Sequence, residues 1–374
     1  MVTLPVLVDA TSIPRDRGGV ARYISGLLTG LEDEGYSVTV IAKVSDLEWL
    51  SETAPGHVYR GAPRIVDVRP VRLLWEQIAL PGHVRRSRAT TLHSPHYTFP
   101  LVVSKRCVVT LHDATFFSDP RSHGRLKRTF FRLWTHAARR LSRATVTPSA
   151  ATADEVSRFV RSRVPNTVAH LGVDPDVFRP PTADAISAFR RRHGIDGETS
   201  WIAFLGTVEP RKSVAALIRA HRGASARESD VPPLLVSGSL GWDAEAVRLL
   251  IQAGDRPGTP LRYLGYLDLD ELAAFLGGSS LVVYPSIGEG FGLPVLEAMS
   301  CGSAVLTTPR LAIPEVGGDA VAYTQPFADA IEEDLLELLA DGDRRDRLAQ
   351  DAVVRAADFT WAACAAAHRG AWSR

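Results

Sequence analysis

Two glutamates enclose a glycine-rich turn and give the clearest chemical signal in the chain. Glu289 and Glu297 are separated by seven residues, among them Gly290, Phe291, Gly292 and Leu293. The turn follows an apolar run typical of a buried strand and precedes a predicted helix, so its backbone amides would form an anion site. Glycine lets a ligand approach the backbone closely, and each carboxylate can accept hydrogen bonds from a sugar hydroxyl or a ribose diol. The alternative is an ordinary helix start, where the helix dipole favours acidic residues.

A short basic turn forms the second candidate site. Gly206 follows another predicted strand, and Arg211 and Lys212 stand where the next helix begins. Positive charge at a helix N-terminus opposes the helix dipole, and a bound anion would remove that conflict. Arginine can bind two phosphate oxygens at once, and lysine adds a compact charge. The alternative is an exposed basic turn without a ligand.

Two weaker candidates lie in the first half of the chain. Gly18 and Gly19 follow the first predicted strand and are typical of a loop that approaches a phosphate or a sugar, although no complete G-x-G-x-x-G is present. His112 follows a later strand, where its imidazole could donate a hydrogen bond to a sugar hydroxyl. The alternative of a purely structural histidine stays open at this point.

Two pairs of aspartates have the D-x-D spacing that can hold a divalent metal on a diphosphate. Asp268 and Asp270 precede a predicted helix, and helix capping explains them better. Asp174 and Asp176 lie in a turn between predicted domains. Because the basic turn could neutralise a diphosphate by itself, we expect no metal ion and no other cofactor.

Buried strands alternate with helices along the chain in two series. Strands are predicted at 5–9, 38–42, 107–111 and 144–147, and then at 201–205, 233–237, 262–264, 281–284 and 304–307. Such apolar runs are typical of parallel strands covered by helices. A stretch rich in turn residues separates the two series near residues 172–181. The sequence therefore predicts an α/β protein with two doubly wound domains, whose ligands bind at the carboxyl ends of the strands.

The composition is ordinary for a folded protein and excludes several classes. In the 374 residues, 43 basic side chains balance 42 acidic ones, for a net charge of +1. That balance argues against a dedicated nucleic-acid-binding protein. The three cysteines lie far apart and show no metal or redox spacing. Because the N-terminus is unlike a signal peptide and no apolar window is long enough to span a membrane, we expect a cytoplasmic protein.

Taken together, these segments resemble a known enzyme family. Residues 285–299 resemble the E-x7-E signature of retaining glycosyltransferases with the GT-B fold, in particular family 4 and its mannosyltransferase-like members. Residues 206–212 are similar to the diphosphate-binding turn of that family, and residues 170–180 to its interdomain connector. Similarity at 314–320 and 359–361 extends the resemblance over nearly the whole chain.

The resemblance implies a GT-B architecture, in which two Rossmann-like domains face each other across a cleft. The acceptor-side domain is expected over residues 1–175. The domain that binds the nucleotide-sugar donor is expected over residues 176–357. Residues 358–374 would form a helix that packs back onto the first domain.

The resemblance also implies roles for the candidate residues. Arg211 and Lys212 would hold the donor diphosphate, Glu289 would contact hydroxyls of the transferred sugar, and His112 would lie near that sugar. These four are the expected catalytic residues. Ser213 stands where many relatives have Asn, which blurs the subfamily. The other expected donor-binding positions are Gly18, Gly19, Gly206, Gly290, Phe291, Gly292, Leu293 and Glu297, the last of them at the ribose.

The implied reaction is transfer of a hexose from a nucleoside diphosphate sugar to a hydroxyl of a glycan or a lipid-linked glycan, with retention at the anomeric carbon. Similarity of residues 74–77 and 93–97 to mannosyltransferase-like members favours GDP-mannose as the donor. A UDP-sugar-dependent transferase, a GT-B sugar-nucleotide epimerase and a non-catalytic nucleotide-sugar-binding module are the alternatives. The pair Glu289 and Glu297 argues against the epimerase, and the retained basic turn argues against loss of catalysis.

One segment carries many basic residues and no acidic ones. Residues 121–143 are predicted to form an amphipathic helix in the acceptor-side domain. Its basic face would contact an anionic membrane surface at the inner side of the membrane, where a lipid-linked acceptor lies. The alternative is a solvated face above a buried apolar stripe. The predicted basic face consists of Arg125, Arg128, Arg132, His136, Arg139 and Arg143, and the predicted apolar side of Leu126, Phe130, Leu133, Ala137 and Leu141.

Overall fold

Two compact units make up the chain in a computed structural model, which describes residues 5–14, 17–120, 123–195, 197 and 199–374. One unit is Met1–Gly172 with Phe359–Arg374, and the other is Val173–Asp358. The first stretch therefore ends three residues before the predicted limit at residue 175. Gly172 belongs to the first unit because its backbone packs against Trp361, and a Cβ at Gly172 would lie 2.2 Å from the Trp361 nitrogen.

The first unit is built on a parallel sheet. Its described strands are β1 (Val6–Asp9), β2 (Thr39–Lys43), β3 (Val58–Ala62), β4 (Thr91–Ser94), β5 (Cys107–Thr110), β6 (Ala144–Thr147) and β7 (Asn166–Val168). They pair in the order β3-β2-β1-β4-β5-β6-β7, with every described pair parallel. β1, β4, β5 and β6 are buried along their whole length, which explains the apolar runs of β1 and β5.

Helices connect these strands. They are α1 (Gly19–Asp33), α2 (Val44–Thr53), α3 (Arg69–Ile78), α4 (Leu80–Arg86), α5 (Thr115–Ser118), α6 (Arg125–Leu141) and α7 (Ala150–Phe159). In α1, the side chains of Tyr23, Leu27, Leu28 and Leu31 recur at helical spacing and are buried, as the periodicity predicts. The side chain of Ser149 accepts a hydrogen bond from the Thr152 amide and thereby begins α7.

The second unit repeats the architecture with a second parallel sheet. Its described strands are β8 (Ile202–Leu205), β9 (Leu234–Ser237), β10 (Leu261–Gly265), β11 (Leu281–Tyr284), β12 (Val305–Thr307) and β13 (Ala322–Tyr323). They pair in the order β10-β9-β8-β11-β12-β13. The register places Leu281 beside Ile202 and Val282 beside Ala203. The carboxyl ends of β8 and β11 therefore lie next to each other.

The helices of the second unit follow the same alternation. They are α8 (Ala183–Arg192), α9 (Val214–Arg227), α10 (Ala244–Ala253), α11 (Leu272–Gly277), α12 (Leu293–Ser300), α13 (Ile313–Gly317), α14 (Ala328–Ala340) and α15 (Gly342–Ala356). Side chains of Thr182, Asp243 and Asp341 cap α8, α10 and α15, which is the usual role of such residues at helix starts.

The last helix, α16 (Trp361–Trp372), belongs to the first unit and packs along α1. Two glycines of α1 make this close approach feasible. A Cβ at Gly26 would lie 2.1 Å from the Trp361 ring, and one at Gly30 would lie 2.1 Å from the Trp361 carbonyl oxygen. Thr360 caps the helix by accepting a hydrogen bond from the Ala363 amide.

The predicted α/β class with two Rossmann-like domains is confirmed. The strands that the sequence analysis missed differ from the others in physical character. β3 is largely exposed, β7 spans only three half-buried residues, β13 spans only two residues, and β4 ends in His93 and Ser94. Because these strands lack a run of buried apolar residues, hydrophobic pattern alone does not reveal them.

Candidate functional site

Two of the predicted site segments meet in the second unit. The segment after β8 carries Arg211, and the segment after β11 carries Glu289. The Ile287 amide donates a hydrogen bond to the Arg211 carbonyl oxygen over 2.7 Å, and the Ser286 hydroxyl also reaches that oxygen at 3.3 Å. The adjacency of β8 and β11 thus brings the basic turn and the glycine-rich turn into direct contact, as is expected at the carboxyl edge of a parallel sheet.

Glu289 is fixed on both of its carboxylate oxygens. Its Oε1 accepts hydrogen bonds from the Tyr284 hydroxyl (2.8 Å) and the Ser286 hydroxyl (2.9 Å), and its Oε2 forms an ion pair with Arg211. Burial acts to raise the pKa of Glu289, but the charges of Arg211 and Lys212 outweigh it and hold the pKa below its usual value. Glu289 is therefore an ionised and firmly oriented hydrogen-bond acceptor.

Arg211 lies between two carboxylates. Its Nη2 donates to Glu209 Oε1 over 2.5 Å, while its Nη1 contacts Glu289 and donates to the Gly288 carbonyl oxygen over 2.6 Å. Burial acts to lower the pKa of Arg211, and the two glutamates raise it well above its usual value. The guanidinium fork that the sequence analysis assigned to phosphate is thus occupied by carboxylates in this structure.

Lys212 ends a short 3-10 helix over Pro210–Lys212. Its Nζ lies 5.3 Å from the centroid of the Tyr284 ring, a cation–π arrangement. Gly206 has a φ of +151°, and a Cβ there would lie 2.6 Å from the Lys212 Nζ. Glycine at 206 therefore makes room for the ammonium group beside the strand end. The following residue, Ser213, takes a left-handed conformation with φ +52°.

The glycine-rich turn leads into α12 as predicted. Gly292 has a φ of +103° at the N-cap of the helix, a conformation that glycine adopts without strain. Phe291 and Leu293 are buried on either side of it. Glu297 lies in the second turn of α12 and is only 1% exposed. Gly290 precedes this group in the same loop. The predicted donor-binding positions of this turn thus lie in one short segment that runs from the loop into α12.

In the first unit, Gly18 and Gly19 begin α1. Neither has a positive φ, and a Cβ built on either would meet nothing within 4 Å. Backbone strain and packing within the described chain therefore do not require glycine at these positions. Open space above a helix start is what a ligand that approaches the backbone needs.

His112 follows β5, as predicted, but its hydrogen bonding differs from the expectation. The Nε2 atom lies 2.6 Å from the Pro95 carbonyl oxygen, which can only accept, so Nε2 carries the proton and Nδ1 the lone pair. Burial lowers the pKa of His112, so the ring is neutral near pH 7. His112 can therefore accept a hydrogen bond from a hydroxyl at Nδ1, whereas the sequence analysis had it donate one.

The loop that carries Pro95 is held by a buried polar cluster. Glu76 Oε2 accepts from the Thr98 hydroxyl (2.6 Å) and pairs with Arg72 (3.0 Å), and Gln77 donates to the Phe99 carbonyl oxygen (2.9 Å). Burial raises the pKa of Glu76 to about 7. Residues of the segment 74–77 thereby hold Thr98 and Phe99, which directly follow the segment 93–97.

Sequence reasoning missed the residues that support these candidates. In the second unit they are Glu209 and Ser286, inside the segments 206–212 and 285–299, and Tyr284, directly before the second segment. In the first unit the Tyr23 hydroxyl contacts His93 (3.1 Å), Thr110 (2.8 Å) and His368 (2.8 Å). Tyr23 and His368 are far apart in sequence, so no local pattern could have joined them.

The predicted polarity of the basic helix is wrong. In α6 the leucines of the supposed buried side point outward, with Leu126 86% and Leu133 64% exposed, while Arg139 is buried. Arg139 donates to the Thr145 hydroxyl and the Val164 carbonyl, and Arg132 to the Phe116 carbonyl. The helix packs through Phe131, Trp134 and Ala138 instead, so long arginine side chains reach inward to buried carbonyls. Arg121 and Ser122 of the predicted segment lie outside the described residues.

The described residues contain neither a metal-binding cluster nor a membrane-spanning helix. No group of three or more His, Cys, Asp or Glu side chains among them is arranged to hold a metal ion. Over the same part of the chain, each helix is too short or too polar to cross a bilayer.

Comparison with known proteins covers both units. The family model described as "Glycosyltransferase Family 4" matches residues 17–177, and the model "Glycosyl transferases group 1" matches residues 185–354. The O-antigen chain mannosyltransferase B of Escherichia coli is 29% identical over 73% of this chain and 71% of its own length.

Solved structures share the fold over nearly the full chain. Sucrose-phosphate synthase from Thermosynechococcus elongatus superposes with a TM-score of 0.75 at 19% identity, over 97% of this chain and 96% of the other. HepE of Anabaena, solved in complex with UDP and glucose, gives a TM-score of 0.74 at 18% identity, over 97% of both chains. With both halves matched by glycosyltransferase models and the residues of the E-x7-E run in place, the chain belongs to the family 4 glycosyltransferases of the GT-B fold.

Proposed function

We propose that this glycosyltransferase moves mannose from GDP-mannose to a hydroxyl of a glycan or a lipid-linked glycan, with retention at the anomeric carbon. The observation that carries the proposal is the joined pair of turns that places Glu289, Arg211 and Lys212 at neighbouring strand ends. The mannosyltransferase of Escherichia coli supports mannose. HepE, solved with UDP and glucose, gives the alternative of a UDP-sugar donor.

Glu289 suits sugar binding better than nucleophilic attack. Its two oxygens already accept hydrogen bonds from Tyr284 and Ser286 and form an ion pair with Arg211. Its lowered pKa keeps it ionised. A carboxylate held in this way can accept hydrogen bonds from sugar hydroxyls but is poorly disposed to form a covalent bond. In the proposed reaction the acceptor oxygen therefore bonds to the anomeric carbon on the face that the diphosphate leaves. The acceptor proton passes to the departing phosphate oxygen.

Lys212 would stabilise the leaving diphosphate. Charge grows on the phosphate oxygen as the glycosidic bond breaks, and a fixed ammonium group in a mostly buried position stabilises that charge strongly. We propose that Arg211 and Lys212 stabilise the leaving diphosphate without a metal ion. His112, neutral and accepting at Nδ1, would receive a hydrogen bond from a hydroxyl of the transferred sugar.

Titration calorimetry with GDP, UDP and ADP, with and without EDTA, tests the donor site. We expect binding of GDP that survives EDTA, followed by turnover of GDP-mannose and an α-to-α product by NMR. Binding of UDP alone would replace the proposed donor by a UDP-sugar, and loss of binding with EDTA would overturn the metal-free proposal. Epimerised donor without transfer would identify an epimerase. Binding without any turnover would leave a binding module.

The outward face of α6 has the composition of a surface that contacts membranes. Leu126, Leu133 and Leu141 are exposed, Lys127 and Arg140 flank them, and α6 contains no acidic residue. An apolar stripe with basic borders complements the interface of an anionic bilayer. We propose that this face makes peripheral contact with the inner surface of the membrane, where a lipid-linked acceptor lies, although the predicted basic face does not exist.

Vesicle flotation tests this contact. We expect the protein to bind phosphatidylglycerol vesicles more strongly than phosphatidylcholine vesicles, and a Leu126→Ser, Leu133→Ser variant to lose binding. Ile251→Ser is the control, because Ile251, on α10 of the other unit, is 63% exposed, close to the 64% of Leu133. Equal flotation of the double variant and the wild-type protein would overturn the proposal for this face.

A further inference from the structure

We infer that Glu209 is an exchangeable counter-ion: it occupies Arg211 in the empty site and gives way to the diphosphate of the donor. Glu209 then competes with the nucleotide for one guanidinium group and lowers the affinity for nucleoside diphosphates. The inference rests on the proposed function of this site. It assigns a role to a residue that the chemistry of transfer does not itself need.

The two carboxylates on Arg211 differ in how firmly other residues hold them. Glu289 is held by Tyr284 and Ser286 as well as by Arg211. Within the described part of the chain, the side chain of Glu209 receives a hydrogen bond from Arg211 alone. Departure of Glu289 would break three contacts, whereas departure of Glu209 breaks one. Glu209 is therefore the carboxylate that can leave.

The charges around Arg211 nearly cancel in the empty site. Arg211 and Lys212 are matched by Glu209 and Glu289, so the cluster is close to neutral. A diphosphate brought against this cluster gains little net attraction while Glu209 stays in place. When the Glu209 side chain turns away, the Nη2 group of Arg211 becomes available to a phosphate oxygen. Arginine binds phosphate well because its guanidinium group can donate two parallel hydrogen bonds.

The carboxylate of Glu209 lies close to solvent. The Glu209 side chain is 12% exposed, and its backbone is extended, with φ −126° and ψ 152°, immediately before the Pro210–Lys212 helix. Rotation of the side chain alone would bring its carboxylate into solvent, while the backbone of the basic turn stays in place. The ion pair between Arg211 and Glu289 can persist during this exchange.

The exchange would also help the product to leave. The nucleoside diphosphate formed by transfer carries one more negative charge than the sugar nucleotide, so it binds the cations more tightly. When Glu209 returns to Arg211, its carboxylate neutralises the guanidinium charge again and displaces a phosphate oxygen. A variant without this carboxylate should therefore hold the product longer.

Calorimetric titration of Glu209→Gln with GDP and UDP tests the inference. We expect the Kd of the nucleotide that the wild-type protein binds to fall about tenfold or more, since one competing charge is removed. Steady-state turnover should fall, because the product nucleotide leaves the variant more slowly. Glu337→Gln is the matched control, because Glu337 forms an exposed ion pair with Arg344 in the same unit.

The outcomes separate the inference from the proposed function. If the wild-type protein binds a nucleotide and Glu209→Gln binds it equally or more weakly, the counter-ion role is wrong while the proposed function stands. If the wild-type protein binds no nucleotide, both fail. A folded Glu209→Gln protein with tighter binding and slower release supports the inference, and circular dichroism establishes that the variant is folded.

Discussion

The carboxyl edges of the two sheets carry opposite kinds of polar chemistry. In the second unit, Arg211 and Glu289 are buried as charged partners, and each pKa is displaced so as to favour the ionised form. In the first unit, burial lowers the pKa of His93, His112 and His368, so the rings are neutral. Ions suit the recognition of a diphosphate, whereas neutral rings suit hydroxyl groups. One fold therefore supports both kinds of polar environment through the choice of residues after its strands.

The largest effect is expected from Lys212→Met, which removes the ammonium group from the charged edge and keeps most of the side-chain stem. Loss of one charge contact to the leaving diphosphate should cost about 2–4 kcal/mol, or about 30- to 1000-fold in kcat. The melting temperature should change little. Steady-state kinetics and thermal unfolding measure the two quantities. Arg219→Met serves as control, because Arg219 is an exposed cation of α9 paired with Glu245. Wild-type turnover in Lys212→Met would refute the assigned role.

The second prediction concerns the pH dependence of stability in the two units. A histidine with a lowered pKa binds fewer protons when folded than when unfolded. Its stabilising contribution is therefore complete above its unfolded pKa and is lost as pH falls towards the folded value. For His368 the folded pKa is about 4, against the usual 6.5, which corresponds to about 3 kcal/mol. For Glu289, also with a lowered pKa, the loss begins only below 4.5.

Hydrogen exchange followed by mass spectrometry at about pH 7 and about pH 5 checks this difference. Protection of β4, β5 and α16 in the first unit should fall at the lower pH, while β8 and β11 in the second unit keep theirs. His368→Gln removes one titrating ring and should make the first unit less sensitive. Equal loss of protection in both units would contradict the comparison.

The third prediction separates two kinds of glycine in α1. Gly26→Ala would drive a Cβ into the Trp361 ring, and overpacking of this kind costs about 1–3 kcal/mol. Gly19→Ala meets nothing within 4 Å, so stability should be preserved. Activity should nevertheless fall if a ligand approaches that backbone. Chemical denaturation and kinetics on both variants test the difference, and full activity in Gly19→Ala would remove Gly19 from the candidate site.

The sequence predicted the fold and the local segments well, and failed where distant residues decide the outcome. Buried parallel strands leave continuous apolar runs, so β1, β5, β8 and β11 were recognisable. The orientation of α6 was not, because leucines and arginines recur at the same helical spacing and only packing against the sheet decides which face is buried. The pairing of Arg211 with Glu289 also depends on the adjacency of β8 and β11, which periodicity does not encode.

The smallest expected effect concerns the backbone that presents Lys212. Ser213 has φ +52° and ψ 33°, and its side chain does not cap α9. Asn tolerates this left-handed conformation better than Ser, because its short amide can hydrogen-bond to the local backbone. Ser213→Asn, the residue expected from many relatives, should therefore stabilise the protein by about 0.5 kcal/mol and leave kcat unchanged.

Ser213→Val, whose branched side chain is poorly tolerated at positive φ, should destabilise the turn and lower the affinity for the nucleotide. Thermal unfolding with nucleotide titration distinguishes the two. A stabilising effect of Val would show that the left-handed conformation does not control the position of the ammonium group.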